Sequence, residues 1–329
     1  MIWKLAPAIA AGNTVVIKPS ERASCSTLEL MKILEEADLP EGLINVVTGF
    51  GPTTGAPLIE HQDVRMISFT GGTKGGSAAS LSASKNVKPI IMELGGKSPQ
   101  IIFKDADLTL SVNGVVSGIF PVSGHSCISG SRILVHKDIK DKFTHNLLEV
   151  VKKAKVGHPN DVATQIGPIA NKEQYEFILS KIEAAEKRGL KLLIDGRKEQ
   201  KSEGYYIGPT IFDNVPNEDD LAQNEVFGPV ASIQTWEDED EVIKIANDTI
   251  YGLAAGIWTN DTNKAIRLAD KIEAGTVYIN NYFNASTQSP VGGFKQSGYG
   301  RENGWEGMQS YMQTKSTWLA TNPSQPDPF

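Results

Sequence analysis

The sequence predicts an α/β protein with two α/β domains, the first of which carries a Rossmann-type parallel sheet. Short β-branched runs alternate with single helical patterns along the first ninety-odd residues, which is typical of βαβ units. The 329 residues exceed what one hydrophobic core usually organises, so about two domains are expected. Hydrophobic residues make up 40% and charged residues 22%, as in compact globular chains.

The first region opens with a helical pattern and continues as strands that alternate with helices. Lys4 and Asn13 interrupt the apolar character of the opening segment, which therefore predicts a helix packed in a domain. The predicted strands are 14–17, 44–47, 66–69 and 89–93, and the best-defined helix is 28–37. Right-handed crossovers place the loops after parallel strands at one sheet edge, so ligand-binding residues are expected there.

The second region repeats this alternation over a longer stretch. Its predicted strands are 133–135, 191–194, 230–235, 254–259 and 275–279, and its longest helical patterns are 139–156 and 173–188. Residues 315–320 predict a short strand near the carboxyl terminus. The predicted domains are 1–94 and 95–295, followed by a carboxy-terminal segment, 296–329, that contains this strand.

Charge and composition exclude several classes of function. A net charge of -7, a pI near 5.4 and scattered Lys and Arg residues argue against nucleic acid and membrane surfaces as partners. Two cysteines in so long a chain do not make a disulfide scaffold, so a reducing, cytoplasmic compartment is expected. The five histidines lack the spacing of metal ligands, so no metal site is predicted.

Two glycine-rich loops are candidates for phosphate binding, at 71–76 and 95–98. Neither is a P-loop, because Ser77 replaces the required Lys after Gly76, and Ile91 stands where the second loop needs its first Gly. An ATPase is therefore excluded. For the loop at 71–76, backbone amides near a phosphate and a plain turn remain equal alternatives from spacing alone.

The two cysteines have different surroundings. Cys25 lies between serines at a helix start and is expected to be a small buried side chain. Cys127 lies among small residues that would leave its sulfur accessible, and turn amides and Arg132 are expected to favour its thiolate. Taken alone, Cys127 is as consistent with a buried structural cysteine as with a nucleophile.

Seven ordered motifs together resemble the aldehyde dehydrogenase superfamily from Trp3 to about Trp318. They are 12–21 (GNTVVIKPSE), 69–76 (FTGGTKGG), 93–99 (ELGGKSP), 124–132 (GHSCISGSR), 208–210 (GPT), 225–230 (EVFGPV) and 289–302 (SPVGGFKQSGYGRE). The resemblance implies an aldehyde dehydrogenase-like fold, in which 1–94 is a partial, incomplete Rossmann-type NAD-binding domain and 95–295 the catalytic domain. It also implies a homo-oligomer, a dimer or tetramer, joined in part through the terminal strand.

The resemblance implies oxidation of an aldehyde by a covalent route. Cys127 matches the family's nucleophile, which forms a thiohemiacetal and then a thioester. Glu93 matches the base that activates water to hydrolyse the thioester, and its position at a strand end suits a partly desolvated carboxylate. A solvated loop acid is the alternative for Glu93. Sequence alone does not name the aldehyde.

The resemblance also implies which residues hold the cofactor. Lys18 and Glu21 match the pair at the adenosine ribose, and a carboxylate there favours NAD over NADP. The remaining matches are the pyrophosphate loop from Gly71 through Gly72 to Gly76, Leu94 beside the base, Glu225 at the nicotinamide ribose and Phe227 next to the nicotinamide. For Phe227, ordinary core packing remains the alternative.

Several positions depart from the family pattern. Gly72 replaces a common phosphate-binding serine, His125 a common glutamine, and Val291 a common phenylalanine of the substrate tunnel. The family's oxyanion-holding asparagine precedes the Trp3 helix, and this sequence begins after it. Losing such a donor typically costs about 2.7 to 4 kcal/mol, so the chain from Met1 is expected to be almost inactive. The family's first strand of the cofactor sheet is missing as well, and because an orphaned sheet edge promotes aggregation the chain is also expected to be poorly soluble.

Two alternatives to a working dehydrogenase remain open at this stage. One is a catalytically impaired, partner-bound subunit that pairs with full-length relatives through the strand around Trp318. The other is a thiol esterase that uses Cys127 without a cofactor. Formation of NADH against simple ester hydrolysis distinguishes the esterase from the dehydrogenase.

Overall fold

A computed structural model gives the structure of the chain and describes all residues except 200, 202 and 326. The helices are α1 Ile2–Ala10, α2 Ser24–Glu35, α3 Ala56–Glu60, α4 Thr73–Ser84, α5 Leu108–Ser117, α6 Lys140–Val151, α7 Lys172–Lys187, α8 Asp220–Gln223, α9 Glu239–Asn247, α10 Thr262–Ala269 and α11 Gly304–Gln309. The strands are β1 Val15–Ile17, β2 Ile44–Val46, β3 Ile67–Thr70, β4 Ile90–Glu93, β5 Pro99–Ile102, β6 Arg132–His136, β7 Lys191–Ile194, β8 Thr210–Asp213, β9 Val230–Trp236, β10 Tyr251–Gly252, β11 Ala254–Trp258, β12 Thr276–Ile279, β13 Phe294–Lys295 and β14 Gly298–Tyr299.

A seven-stranded sheet organises the second region, residues 95–295. Its strand order is β12-β11-β5-β6-β9-β8-β7, and every neighbouring pair is parallel except β7 with β8. The central strand β6 is buried at all five residues, because helices cover both faces of a parallel sheet. Large apolar cores lie on its two sides, one around Phe143 and Trp258 and the other around Leu134 and Trp236.

The first region, residues 1–94, has a smaller strand system. Strands β1 and β2 form a two-stranded parallel sheet, and β3 pairs in parallel with β4 in a separate sheet. The third strand of that second sheet is β14, which comes from the carboxy-terminal segment and runs antiparallel to β4. The predicted α/β class is confirmed, and the parallel pairs lie where βαβ units were predicted.

Two element predictions were wrong in extent or existence. The helix predicted over 139–156 is α6, which ends at Val151 and is followed by a turn. The strand predicted over 315–320 is not formed, and the side chain of Trp318 there is 93% exposed. A strand needs a neighbour with which to exchange backbone hydrogen bonds, and this segment finds none among the described residues. Within the same residues, no helix is both long and apolar enough to cross a bilayer.

Candidate active site

Glu93 is the last residue of β4 and is held between two strands. Its backbone pairs with Thr70 of β3 on one side and with Gly298 of β14 on the other. The β14 strand approaches closely, since a methyl group at Gly298 would lie 2.0 Å from the carbonyl oxygen of Met92. Gly298 also has a φ of +115°, in the region that favours glycine. Glu93 is therefore fixed where the first region meets the carboxy-terminal segment.

Burial and a second carboxylate make Glu93 an unusually weak acid. Its side chain is only 7% exposed, and its Oε1 atom has no hydrogen-bond partner in the part of the chain that the structure describes. Burial, followed by the charge of Glu302, raises the pKa of Glu93 to about 7, while Lys4 and Arg301 act in the opposite direction. Lys4 itself forms an ion pair with the buried Glu302. A carboxyl group with this pKa can both accept and release a proton near neutral pH.

Cys127 lies in a turn just before β6, at the amino-terminal edge of the large sheet. The segment that leads to it has three successive residues with left-handed backbone, Val122 at φ 54°, Ser123 at 57° and Gly124 at 70°. The Ser123 hydroxyl donates to the carbonyl of Gly167 at 2.8 Å and so anchors the segment. Left-handed backbone is unfavourable for a β-branched residue such as Val122, so the surrounding fold must hold this turn in place.

The turn also has a support on its far side. The hydroxyl of Tyr282 donates to the carbonyl oxygen of Ile128 at 2.8 Å, directly after the cysteine. The N–H of Ser129 closes the turn on the carbonyl of Ser126 at 3.1 Å. Cys127 is half-buried and free of a disulfide. The thiol is therefore held in one place and is reachable from one side.

The electrostatic surroundings of Cys127 favour the protonated thiol. Burial, and then the charges of Glu93 and Glu225, raise the pKa of Cys127 to about 11, although the backbone N–H groups of Cys127 and Ile128 lower it. The expectation that Arg132 favours the thiolate was wrong. The Arg132 guanidinium is fully buried and donates hydrogen bonds to the backbone carbonyls of Lys97, Ile245 and Ala246. It therefore links the start of β6 to these two segments.

Two adjacent glycines bring the remaining groups of the site together. A methyl group at Gly95 would lie 2.4 Å from the Oε2 atom of Glu225, and one at Gly96 would lie 2.3 Å from the carbonyl oxygen of Cys127. The Gly96 N–H also donates to Glu225 at 3.1 Å. Only residues without a β-carbon permit both approaches. The segment after Glu93 therefore passes between Cys127 and Glu225 in close contact with each.

The loop with Glu225 and Phe227 faces the same place. Burial raises the pKa of Glu225, while the Gly96 N–H and the nearby Lys97 lower it. Phe227 has left-handed backbone, with φ 52°, and its side chain is 38% exposed, so it is not an ordinary core residue. The Gln174 amide donates to the carbonyls of Val226 and Phe227 at 2.9 and 3.1 Å. The loop is fixed while the Phe227 ring remains available for contact.

The predicted phosphate loop begins α4 beside the same strands. The N–H of Gly71 donates to the carbonyl of Glu93 at 3.1 Å, and a methyl group at Gly76 would lie 2.5 Å from the side chain of Leu94. Gly72 is the N-cap of α4, no described side chain caps the helix, and its first turn has no acid. A methyl group at Gly72 would meet nothing within 4 Å. This helix start therefore offers free N–H groups and space to an anion.

Lys18 and Glu21 lie together after β1. The Lys18 ammonium donates to the carbonyls of Pro19 and Gly49 at 2.6 and 3.0 Å and lies 4.0 Å from the Glu21 carboxylate. The two side chains thus face a common space at the end of a parallel strand, where ligands bind in such sheets.

The structure also corrects and adds to the predicted site. Cys25 is exposed, not buried, because it lies in the solvent-facing first turn of α2. Lys4 and Glu302 were not predicted as site residues, although Glu302 ends the motif at 289–302 and Lys4 lies in the predicted first helix. The contact between them joins residues 298 positions apart, so no local pattern could reveal it.

Comparison with known proteins identifies the family to which the motifs belong. Residues 1–317 match the model of the aldehyde dehydrogenase family. The chain is 42% identical over 325 residues to betaine aldehyde dehydrogenase of Bacillus subtilis, covering 98% of this chain and 66% of that protein. It is 46% identical over 319 residues to aldehyde dehydrogenase 1A1 of Gallus gallus, covering 97% of this chain and 62% of that protein. The chain thus spans less than two-thirds of the length of these curated relatives.

Solved structures agree with the sequence comparison. The chain superposes on betaine aldehyde dehydrogenase from Staphylococcus aureus, solved in complex with NAD+, with a TM-score of 0.96 and 40% identity over 99% of this chain and 65% of that one. An aldehyde dehydrogenase from Bacillus cereus, also solved as an NAD+ complex, gives a TM-score of 0.95 and 38% identity over 97% of this chain and 65% of that one. The predicted fold is confirmed.

Proposed function

The chain belongs to the aldehyde dehydrogenase family, and on that premise we propose that it oxidises an aldehyde to a carboxylic acid with NAD. The observation that supports this most directly is the junction at Gly95 and Gly96. Around it lie Glu93, a buried carboxyl group that titrates near neutral pH, and Cys127, a half-buried free thiol whose pKa the charge of Glu93 raises.

The first chemical step in this proposal belongs to Cys127. Its sulfur attacks the carbonyl carbon of the aldehyde to form a thiohemiacetal, and the thiol proton must leave as the bond forms. With a thiol pKa of about 11, the free thiolate is scarce at neutral pH, so a neighbouring base is needed. Glu93, whose charge acts on Cys127 and whose pKa is about 7, is our candidate for that proton. Loss of hydride from the thiohemiacetal leaves a thioester on Cys127.

The second step belongs to Glu93. After Glu93 has released to solvent the proton it took from Cys127, its carboxylate accepts a proton from a water molecule that attacks the thioester carbonyl. The C–S bond then breaks to release the carboxylic acid, and the proton passes from Glu93 to the Cys127 sulfur, which restores the thiol and the carboxylate. The raised pKa suits this task, because a stronger carboxylic acid would be a weaker base.

The residues around the junction fit NAD. When bound, NAD would accept the hydride that leaves the aldehyde carbon. The uncapped start of α4 at Gly72 would hold the pyrophosphate, since its N–H groups are free and no acid repels an anion. Glu225 would bind the nicotinamide ribose, and Leu94 and Phe227 would contact the nicotinamide.

The choice of NAD over NADP rests on Lys18 and Glu21. We assign them to the adenosine ribose, where the Glu21 carboxylate would accept a hydrogen bond from a free 2′-hydroxyl. A 2′-phosphate at that position would meet the same carboxylate and be repelled. NAD is therefore the expected cofactor.

The direct test follows absorbance of NADH with NAD and aldehydes of increasing size, for the 329-residue chain beside a form extended by a relative's amino-terminal segment, in which turnover is expected. We expect NADH only with an aldehyde, little with NADP, and none with Cys127→Ala, which should still bind NAD because the thiol supplies the covalent step. Larger aldehydes belong in the panel because Val291 is smaller than the phenylalanine common in the tunnel of relatives.

Cys25→Ala is the matched control, since it removes the other thiol, which is exposed in the first turn of α2. It should leave turnover unchanged. Retention of a tenth of the wild-type turnover by Cys127→Ala would contradict the assignment of the nucleophile. Ester hydrolysis without any NADH would favour the esterase instead.

A second candidate function is that of a partner-bound subunit, with a second copy of this chain as the partner. The observation that favours it is the segment 315–320, in which Trp318 and Leu319 are almost fully exposed and unpaired within the described residues. An extended apolar segment is a template for pairing with another strand. Light scattering of the chain with Trp318→Ser tests this: loss of a dimer or tetramer supports it, and a monomer in both forms contradicts it. A cytoplasmic location remains a prediction from the two thiols.

A further inference from the structure

We propose that His125 is a positioning residue: its imidazole ring holds the Phe227 ring in the orientation in which the site binds NAD. This inference rests on the proposed function, because it assigns Phe227 to the nicotinamide. It concerns a position where the sequence departs from the glutamine common in the family.

The contact is a stacked pair of rings. The centroids of His125 and Phe227 are 5.5 Å apart and the ring planes differ by 18°. Phe227 needs such a support because its side chain is partly exposed on a loop with left-handed backbone. A ring that is free to rotate loses rotamer entropy when a ligand fixes it, and a ring that is already fixed does not.

The backbones beneath the two rings are in contact as well. A methyl group at Gly124 would lie 2.2 Å from the carbonyl carbon and oxygen of Gly228, so the segment before Cys127 and the loop after Glu225 touch directly. Gln174 fixes the second backbone through the carbonyls of Val226 and Phe227. The rings therefore stack between two backbones that cannot move apart without breaking other contacts.

His125 contributes its ring and not a hydrogen bond. Its Nε2 atom is buried and has no partner among the described residues. Burial lowers the pKa of His125, so the ring is neutral at ordinary assay pH and stacks as an uncharged aromatic. A glutamine at this position could place an amide there, but it could not present an aromatic face to Phe227.

Three variants separate the ring from its nitrogen atoms: His125→Phe keeps an aromatic face, His125→Gln keeps a hydrogen-bonding group, and His125→Ala keeps neither. The readouts are the Kd of NADH from its fluorescence, and kcat with the KM for NAD. An aromatic pair contributes roughly a two- to tenfold factor. We expect Kd and KM to rise by that factor in the Ala and Gln variants and to stay near wild type in the Phe variant, with kcat changed less than KM.

A double-mutant cycle of His125→Ala and Phe227→Ala, read by urea unfolding, measures the contact without cofactor. Tyr205→Ala is the matched control, because Tyr205 is exposed to the same 38% as Phe227 and pairs with Tyr175 at the same 5.5 Å. It should leave the Kd of NADH unchanged. Absence of coupling, or a Kd unchanged in His125→Ala, or rescue by Gln and not by Phe, would each overturn the proposal. A wild-type chain that couples the two rings but binds no NADH would refute the proposed function instead.

Discussion

The first region, residues 1–94, and the second region, residues 95–295, are packed very differently. The second region buries a seven-stranded sheet between large apolar cores. Among the residues that the structure describes, the first region builds mainly one small core cluster, around Ala79, Met92 and Leu94. In the first region, β1 and β2 form a two-stranded sheet, and an isolated pair of strands is marginally stable in water. The second region is therefore firmly packed, whereas the first region has little apolar core of its own.

The two residues proposed for the chemistry come one from each region. Cys127 stands at the edge of the large sheet, and Glu93 ends β4 in the small sheet. The base is nevertheless fixed, because β14 pairs with β4 and Ser297 bonds the next residue: its carbonyl accepts from the Leu94 N–H at 3.0 Å. The proposed base in the first region is therefore positioned by backbone from the carboxy-terminal segment.

The largest expected effect comes from Glu93→Gln, which removes the base and keeps its shape. An amide cannot accept the proton of the attacking water, so steady-state turnover should fall by roughly 10² to 10⁴. The acyl group should then remain on Cys127, and mass spectrometry of the protein after mixing with aldehyde and NAD should show the adduct.

The control for this trap is the double variant Glu93→Gln with Cys127→Ala, which has no sulfur to acylate and should show no adduct. Fast turnover of Glu93→Gln without an adduct would mean that another group serves as base. The first region would then not supply the base for hydrolysis through Glu93.

The next effect tests the packing contrast itself. Trp258 in β11 is 1% exposed, and its indole N–H donates to Gln100 at 3.0 Å, so Trp258→Ala leaves both a cavity and an unpaired amide. We expect a loss of about 3 to 5 kcal/mol in the free energy of unfolding. Leu81→Ala in α4, where the side chain is 69% exposed, should change it by less than about 0.5 kcal/mol. Urea unfolding of both variants measures the contrast, and equal losses would show that it does not exist.

Sequence patterns predicted the βαβ strands of the first region but not the full sheet of the second. Strand β4 was found because a β-branched run ends in a motif, whereas β5 and β8 are four-residue strands without a strong local signal. In the sheet, β5 lies beside β11, which is far away in sequence. Strand β8 lies beside β9, which follows it only after a helix. Strand order depends on such long-range contacts, which periodicity does not encode.

The site shows the same limit. Motifs located Glu93, Cys127 and Glu225, because their chemistry is local, but the pair of Lys4 and Glu302 depends on the folded chain. The direction of the Cys127 pKa shift could not be predicted either, since Arg132 is close in sequence and turns away into the core. Residue type locates a functional group, and the tertiary environment sets its charge.

A smaller effect is expected from Glu302→Gln, which removes the carboxylate that helps raise the pKa of Glu93. Removing a like charge favours the ionised form, so the pKa of Glu93 should fall below about 7, by roughly one unit. Activity that needs the carboxylate is lost as pH falls through this pKa, so the acid limb of the kcat profile should move to lower pH. Glu302→Asp keeps the charge and should leave the limb near its original position. An acid limb that does not move in Glu302→Gln would show that Glu302 does not set the pKa of Glu93.

The smallest effect is expected from Gly72→Ser, which adds a hydroxyl group to the first region at the helix start proposed to bind the cofactor. A hydroxyl at the N-cap of α4 can bond a free backbone N–H or a phosphate oxygen, and there is room for it because nothing lies within 4 Å of a methyl group there. Since a neutral hydrogen bond contributes about 0.5 to 1.5 kcal/mol, the Kd of NADH should fall by roughly two- to tenfold. Gly72→Ala is the matched control, because it fills the same space without a hydroxyl and should leave the Kd unchanged. Equal Kd values for the Ser and Ala variants would mean that the pyrophosphate does not reach this helix start, and that the open space at Gly72 is only an uncapped helix end.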